Sequence, residues 1–300
     1  MPASMPTVAS RRARRQTHQE SDAHGASVLY HPLSALAVWL QPEGVMANHT
    51  HRASASLKRR VWERVLRPLR GRPAPRVTWH TRGGWLGAHF PAVIPACRLQ
   101  STIEGLAAAT NQLGAQRLAD AYGEHGATRT PDHVRSSARA GNVYAWLAEH
   151  RAHATIVEFG AAFGVSGMYF TAGLEAAGRG HLYSFELNPE WAEIAERNIR
   201  TISSRVTLTR GAFEDHVGVV PGPIDLAFVD GIHTYDFVWR QYQILRPLMA
   251  PGGLLLFDDI DFRQRENRMP EVWNDLCRQP DITAALEVDG RLGIIELHAT

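Results

Sequence analysis

Three carboxylates and one imidazole follow two apolar runs and are the clearest candidates for chemistry in this sequence. Asp230 and His233 come after a run that ends at Val229, and the pair Asp258-Asp259 comes after the run Leu-Leu-Leu-Phe. If both runs are neighbouring strands of a parallel sheet, these side chains lie at the same edge. Carboxylates in a partly buried cleft repel one another, and Mg²⁺, which prefers hard oxygen ligands, would relieve the repulsion. The sequence therefore predicts a magnesium site formed by Asp230, Asp258 and Asp259.

His233 is the candidate general base at this edge. Its ordinary pKa lies close to neutrality, so it can accept a proton under physiological conditions. A hydroxyl group bound to a metal ion loses its proton more readily than a free one. We therefore expect Asp230 and His233 to be catalytic, with His233 taking the proton of an acceptor hydroxyl. Two plainer interpretations stay open, because a double Asp also opens loops and a lone histidine also has structural uses.

A glycine-rich turn follows an earlier apolar run. The pattern is Glu-x-Gly-x-x-x-Gly, from Glu158 through Gly160 to Gly164. Glycines permit a tight turn and a close approach of a ligand to backbone N–H groups. A dinucleotide-binding turn would require a glycine where Ala162 stands. The acidic residue ahead of the turn favours a positively charged ligand over a pyrophosphate.

Two later positions indicate that the ligand contains adenosine. Glu186 ends the next apolar run, and a carboxylate there can accept hydrogen bonds from both ribose hydroxyls. Sites for NAD share this feature, so Glu186 does not choose between adenosine ligands. Ala212 and Phe213 follow the third run, where an adenine ring would reach. Phe213 is equally compatible with stacking on that ring and with a place in the core.

The elements that must position these residues alternate regularly from about residue 100. Strands are predicted at Thr155–Phe159, His181–Phe185, Val206–Thr209, Ile224–Val229, Gly253–Phe257, Ala284–Val288 and Leu292–Leu297. Helices are predicted at Ser101–Tyr122, opened by a capping box with Glu104, and at Pro131–His150, Ser166–Ala177, Pro189–Ile202 and Tyr235–Met249. Asp289-Gly290 predicts a hairpin between the last two strands. The fold class is therefore α/β: a Rossmann-like, doubly wound, mostly parallel seven-stranded sheet with a C-terminal antiparallel hairpin.

The order of these motifs, ending in Pro251-Gly252-Gly253, resembles the class I S-adenosylmethionine-dependent methyltransferases. Within them it is most similar to the metal-dependent small-molecule O-methyltransferases of the catechol and caffeoyl-coenzyme A type, over about Thr128 to Leu297. The resemblance implies methyl transfer to a hydroxyl group. It also implies a set of S-adenosylmethionine contacts: Glu158, Gly160, Ala161, Gly164, Ser166, Glu186, Ala212, Phe213 and Asp230. Ala212 departs from the Asp of many relatives, and His233 stands in place of their lysine base.

The first 75 residues lack periodicity and are rich in Arg, Ser and His, which predicts a disordered basic extension. Within it, residues 57–70 have the spacing of a basic amphipathic helix. We expect that helix to pack on its own domain rather than on an anionic membrane surface. Met46 is an alternative start. Residues 76–127 are expected to form a helical extension that covers the substrate, and residues 128–300 a methyltransferase domain.

Composition excludes several other classes. The 32 Lys and Arg residues nearly balance the 30 Asp and Glu residues, for a net charge of +2, so nucleic acid is not an expected partner. Two cysteines fit a reducing compartment, and no apolar run is long enough for a membrane span. We therefore expect a cytoplasmic enzyme acting on a small molecule. The alternatives are a binding or scaffold protein without turnover and an NAD-linked oxidoreductase; a homodimer is left open.

Overall fold

An eight-stranded sheet is the centre of the computed structural model, which describes residues 76–119, 126–151, 155–262 and 267–299. Its strands are β1 (Val77–Thr81), β4 (Thr155–Phe159), β5 (His181–Glu186), β6 (Val206–Arg210), β7 (Ile224–Val229), β8 (Met249–Phe257), β9 (Ile282–Val288) and β10 (Leu292–Leu297). A separate antiparallel pair consists of β2 (Gln116–Arg117) and β3 (Thr128–Arg129). The predictions for residues 1–75, including the helix at 57–70 and the start at Met46, lie outside the described residues.

The strand order across the sheet is β1-β9-β10-β8-β7-β4-β5-β6. The strands from β8 to β6 are parallel, whereas β10 is antiparallel to β8, β9 to β10, and β1 to β9. This order confirms the Rossmann-like α/β class and the antiparallel ending. The predicted count of seven strands is wrong by one, because β1 adds an outer strand to the hairpin.

Helices cover both faces of the sheet. They are α1 (Gly84–His89), α2 (Gln100–Asn111), α3 (Pro131–Val134), α4 (Ala138–His150), α5 (Val165–Ala177), α6 (Pro189–Ile202), α7 (Phe213–His216), α8 (Tyr235–Leu245) and α9 (Met269–Cys277). Short 3-10 turns follow α7 and α8, at Val217–Val219 and Arg246–Leu248. Within the described residues, no helix has both the length and the apolar character that crossing a membrane requires.

Three predicted helices differ from the observed ones, and the one predicted at Tyr235–Met249 ends at Leu245, before a 3-10 turn. The predicted capping box is absent, because α2 is preceded by Leu99 and Ser101 lies inside the helix. The helix also ends well before Tyr122, in a turn that includes Gly114 with a φ of +69°. The helix predicted at Pro131–His150 is interrupted after α3, and the Ser137 side chain caps α4 by accepting a hydrogen bond from the N–H of Ala140.

The core explains why the apolar runs form strands. Every residue of β4 is buried, as expected of a strand covered on both faces. Helices α4 and α5 pack closely over it, since a Cβ atom on Gly141 would lie 2.3 Å from the Tyr169 ring. Tyr144 of α4 stacks on Phe170 of α5, with the ring centroids 4.9 Å apart. This rigid layer holds the carboxyl ends of the parallel strands in place.

The predicted hairpin between β9 and β10 is present, and it brings Arg291 to the carboxyl ends of the parallel strands. Asp289 and Gly290 both adopt left-handed backbone conformations, with φ values of 58° and 70°, which is the signature of a tight two-residue turn. The N–H of Arg291 closes the turn by donating to the carbonyl oxygen of Val288. The carbonyl oxygen of Arg291 accepts a hydrogen bond from the N–H of Ile260. The hairpin is thereby fastened to the segment that follows β8.

Candidate functional site

A cavity of about 450 Å³ lies at the carboxyl ends of the parallel strands. Its lining combines part of the predicted ligand turn with the predicted reacting group: Gly160, Ala162, Glu186, Asp230, His233, Asp258 and Asp259. The two halves of the site, which are far apart in the sequence, therefore face a common space. The structure confirms that the four ionisable side chains lie together.

The glycine turn after β4 packs closely against the backbone of neighbouring segments. Gly160 has a φ of +83°, and a Cβ atom there would lie 2.2 Å from the carbonyl oxygen of Asp230. Gly164 has a φ of +86° and backs onto α6, where a Cβ atom would lie 2.9 Å from the carbonyl oxygen of Ala195. Both positions therefore require glycine. Ala162 also adopts a left-handed conformation, with a φ of 46°, although it carries a side chain.

Glu186 is held against this turn. Its Oε2 atom accepts a hydrogen bond of 2.8 Å from the N–H of Ala162, and its Oε1 atom accepts one of 2.8 Å from the N–H of Asn188. The side chain is buried and lines the cavity. These bonds fix the carboxylate at the end of β5, where the sequence places a ribose-binding group.

Glu158 lies beneath the turn and outside the lining of the cavity. It is completely buried, and its Oε2 atom accepts a hydrogen bond of 2.5 Å from the Ser184 hydroxyl. Burial raises the pKa of Glu158 to about 7, although hydrogen bonding by the Ser166 and Ser184 hydroxyls opposes the shift. This placement does not support the predicted direct contact with a ligand, and it fits a residue that supports the turn from below.

The remaining predicted cofactor residues fall into two groups. Ala161 and Ser166 line a narrow recess next to the turn, together with Asp230. Phe213 is buried in the core, edge-to-face with Phe159 at a centroid distance of 4.5 Å. Of its two interpretations, the structure supports the core one. Ala212, beside it, lies outside the lining of both the cavity and the recess, and its carbonyl oxygen contacts a His216 ring nitrogen.

The reacting end is a network of charges. The Nε2 atom of His233 lies 3.2 Å from Oδ1 of Asp230, and its Nδ1 atom lies 3.6 Å from Oδ2 of Asp259. Arg291 approaches from the hairpin, with Nη2 lying 2.9 Å from Oδ2 of Asp258 and Nε lying 2.7 Å from Oδ1 of Asp259. The carboxylates are therefore paired with two basic side chains.

These contacts shift the protonation of the two predicted catalytic residues. Burial lowers the pKa of His233, but its hydrogen bond to Asp230 and the charges of Asp230, Asp259 and Asp258 outweigh burial and raise the pKa above its ordinary value. Burial, and then the charge of Asp258, raise the pKa of Asp230, while His233 opposes that shift. Each residue thus favours the charged form of the other.

The carboxylates do not fit the predicted magnesium site. Within the described ranges, no group of three or more His, Cys, Asp or Glu side chains is arranged to hold a metal ion. The physical reason is visible in the contacts, because Arg291 already pairs with Asp258 and Asp259. The prediction that Asp230, Asp258 and Asp259 share a Mg²⁺ ion therefore lacks structural support.

Several lining residues were not predicted, among them Arg291, Trp191 and His133. Arg291 reaches the site because Gly293 pairs with Phe257, and the same antiparallel register, which the sequence pattern does not reveal, places Arg291 beside Asp259. Trp191 is buried in α6 and lines the cavity, and its indole Nε1 has no hydrogen-bond partner among the described residues. His133 also lines the cavity. Neither of these two carries a sequence signal that separates it from ordinary helix positions.

Comparisons with known proteins agree with this geometry. Residues 157–260 match a family model described as a methyltransferase domain. The solved structure of cofactor-bound Rv0187 from MTB aligns with a TM-score of 0.52 at 18% identity, covering 66% of this chain and 91% of the other. SAH-bound PaMTH1, a methyltransferase from Podospora anserina, aligns with a TM-score of 0.50 at 16% identity, covering 85% and 99%. No curated protein matches the sequence. Residues 157–260 are therefore similar to a methyltransferase domain, and the fold of the chain is that of these two solved structures, as its motif order predicts.

Proposed function

We propose that this protein transfers the methyl group of S-adenosylmethionine to a hydroxyl group of a small molecule, with His233 as the general base. The observation that carries the proposal is the shared cavity, whose lining includes both the glycine turn with Glu186 and the His233–Asp230 pair. A methyl donor held at the turn and an acceptor near His233 would therefore meet in one space.

The residues around the turn suit an adenosyl ligand. S-adenosylmethionine, when bound, supplies an electrophilic methyl group on a positively charged sulfur. Gly160 lets the turn lie directly against the backbone of Asp230, where a side chain would collide, and so brings the turn and Asp230 to the same cavity. Glu186 offers a fixed carboxylate to ribose hydroxyls, and the indole N–H of Trp191 is a buried donor that a ligand atom can satisfy. Asp230, at the junction of cavity and recess, provides negative charge near a cationic ligand.

His233 is arranged to remove a proton. We assign its Nε2–H as the donor to Asp230, which leaves Nδ1 with a lone pair. Asp259 lies 3.6 Å from Nδ1, too far for a hydrogen bond and close enough to stabilise the imidazolium formed when that nitrogen accepts the acceptor's proton. The deprotonated oxygen would then bond to the methyl carbon as the bond between that carbon and the sulfonium breaks, which leaves S-adenosylhomocysteine with the electron pair on sulfur. Positioning of the two reactants supplies much of the acceleration in such a reaction.

The acceptor side of the cavity includes residues that lie between β1 and β4 in the sequence. Leu118, Arg129, His133 and Val134 complete the lining there. We therefore retain the proposal that the extension before residue 128 covers the substrate, with Leu118 as its contact. The methyltransferase domain itself is proposed to run from residue 128 to residue 300. No step of the reaction is assigned to a metal ion.

The test is calorimetric titration with S-adenosylhomocysteine, with NAD⁺ as the control. We expect micromolar binding of S-adenosylhomocysteine and none of NAD⁺, and failure of the first would overturn the proposal. A panel of phenolic, sugar and polyketide hydroxyl acceptors is then assayed by formation of S-adenosylhomocysteine. His233→Gln should abolish transfer and retain binding, because the residue acts on the acceptor. Full activity of His233→Gln would reject its role as base.

A further inference from the structure

Arg291 makes the strongest set of contacts at the reacting end. Its guanidinium meets both oxygens of Asp258, with Nη2 lying 2.9 Å from Oδ2 and Nε lying 3.3 Å from Oδ1. The same Nε atom lies 2.7 Å from Oδ1 of Asp259. Asp258 is almost completely buried, whereas about half of the Arg291 side chain is exposed. One arginine therefore joins two adjacent acids at the floor of the cavity.

The backbone fixes Arg291 in this position. It follows the tight turn at Asp289-Gly290 and precedes β10, which pairs with β8. Its own carbonyl oxygen accepts a hydrogen bond of 3.0 Å from the N–H of Ile260. The guanidinium is thus held by strand pairing, by a turn and by a backbone contact to the acidic segment, and not by its side-chain contacts alone.

The ion pairs engage the carboxylate oxygens that a metal ion would need as ligands. Both oxygens of Asp258 face Arg291, one oxygen of Asp259 faces Arg291 and the other faces His233. One oxygen of Asp230 is bonded to His233. Mg²⁺ requires near-octahedral oxygen ligands, and a guanidinium between two of its carboxylates opposes binding both sterically and electrostatically.

We propose that Arg291 is the resident cation of this site and replaces the divalent metal that the carboxylate set would otherwise require. Its positive charge partly offsets the charges of Asp258 and Asp259, and its contacts hold both side chains in place next to His233. Its exposed part lines the cavity, where a positive charge stabilises the oxygen anion of the acceptor. The role of Arg291 toward the acceptor rests on the proposed methyl transfer. The replacement of a metal ion by Arg291 does not depend on it.

Electron paramagnetic resonance with Mn²⁺ as the probe tests the proposal without any acceptor. The intact full-length protein should leave the signal of free Mn²⁺ unchanged at micromolar concentrations. Arg291→Ala frees the carboxylates and should raise the affinity for Mn²⁺ by at least about tenfold. Arg291→Lys keeps the charge and should show no such gain. The double variant Arg291→Ala/Asp258→Asn should lose the gain in Mn²⁺ affinity, which would place the Mn²⁺ site at Asp258.

Two results would overturn the proposal. One is stoichiometric Mn²⁺ binding by the unaltered protein that disappears in Asp258→Asn. The other is an Arg291→Ala variant that is folded by circular dichroism and gains no affinity. S-adenosylhomocysteine titration in EDTA is run in parallel, with undiminished binding expected. Loss of that binding in both the presence and the absence of EDTA would count against the proposed function and leave the Mn²⁺ result standing.

Discussion

The Nε2 atom of His233 lies 3.2 Å from Oδ1 of Asp230, and this contact links the protonation of the two residues. Asp230 raises the pKa of His233 by its hydrogen bond and its charge, against the effect of burial. A general base acts only in its neutral form. The activity of the protein should therefore fall as the pH drops through a value above the ordinary histidine pKa.

Asp230→Asn should move this acidic limb to lower pH. The substitution removes the charge that stabilises the imidazolium, so the pKa of His233 should drop. The measurement is the pH profile of kcat/KM. Asp236→Asn, an exposed acid at the start of α8, is the matched control and should leave the limb in place. An unchanged limb in Asp230→Asn would show that another group is the base.

Gly160→Ala should remove binding of S-adenosylhomocysteine and destabilise the fold. Gly178→Ala is the control, because Gly178 also has a positive φ, +69°, but a Cβ atom there would meet nothing within 4 Å. The control should cost only the backbone strain of about 1–2 kcal/mol. The cost of Gly160→Ala should be clearly larger, since its Cβ atom would collide with the carbonyl oxygen of Asp230. Thermal denaturation and calorimetry compare the two, and equal effects would contradict the proposed close packing.

Glu186→Gln should weaken S-adenosylhomocysteine binding by about ten- to a hundredfold, because hydrogen bonds to a charged acceptor contribute ~1.5–3 kcal/mol. The variant keeps the shape of the side chain and loses its charge. Glu193→Gln, on the exposed surface of α6, is the control and should bind normally. Equal affinity of the two variants would place the ribose elsewhere.

Glu158→Gln should change how the stability of the ligand-free protein depends on pH. The folded-state pKa of Glu158 is raised to about 7, so folding is favoured while the group is protonated. That contribution is present below the unfolded pKa and is lost as pH rises through about 7. The variant should therefore be more stable than the unaltered protein at pH 8, by about 2–3 kcal/mol, and little different at pH 4. Urea denaturation at both pH values measures this, and a constant difference would refute it.

Most strands of the sheet could be predicted from the sequence because of their burial. Strands such as β4 and β7 are buried on both faces, so most of their residues are apolar and turns stand at their ends. β1 escapes such an analysis because Val77–Thr81 is an outer strand with exposed positions and finds its partner, β9, near the other end of the chain. The end of α2 and the break between α3 and α4 depend on local turns that periodicity does not resolve.

The site also contains residues whose meeting could be predicted from the sequence and residues whose place could not. Asp230, His233, Asp258 and Asp259 could be predicted to meet because parallel strands end at one edge. The sequence could not show that Arg291 would join them, because its position depends on the register of β10 against β8. Without that cation, a cluster of acids indicates a metal. The orientation of Glu158 was equally hidden, since its side chain points away from the cavity to Ser184.

The pairing of β1 with β9 also sets the order in which the sheet can be completed. The N–H of Arg76, at the start of β1, bonds to Asp289, which is 213 positions further along the chain. During synthesis, the first of these strands therefore waits until almost the whole domain has left the ribosome. In that interval the backbone N–H and C=O groups of β1 are unpaired and open to a strand from another chain. Pairing with β9 thus covers the strand through which incomplete copies of this protein would aggregate.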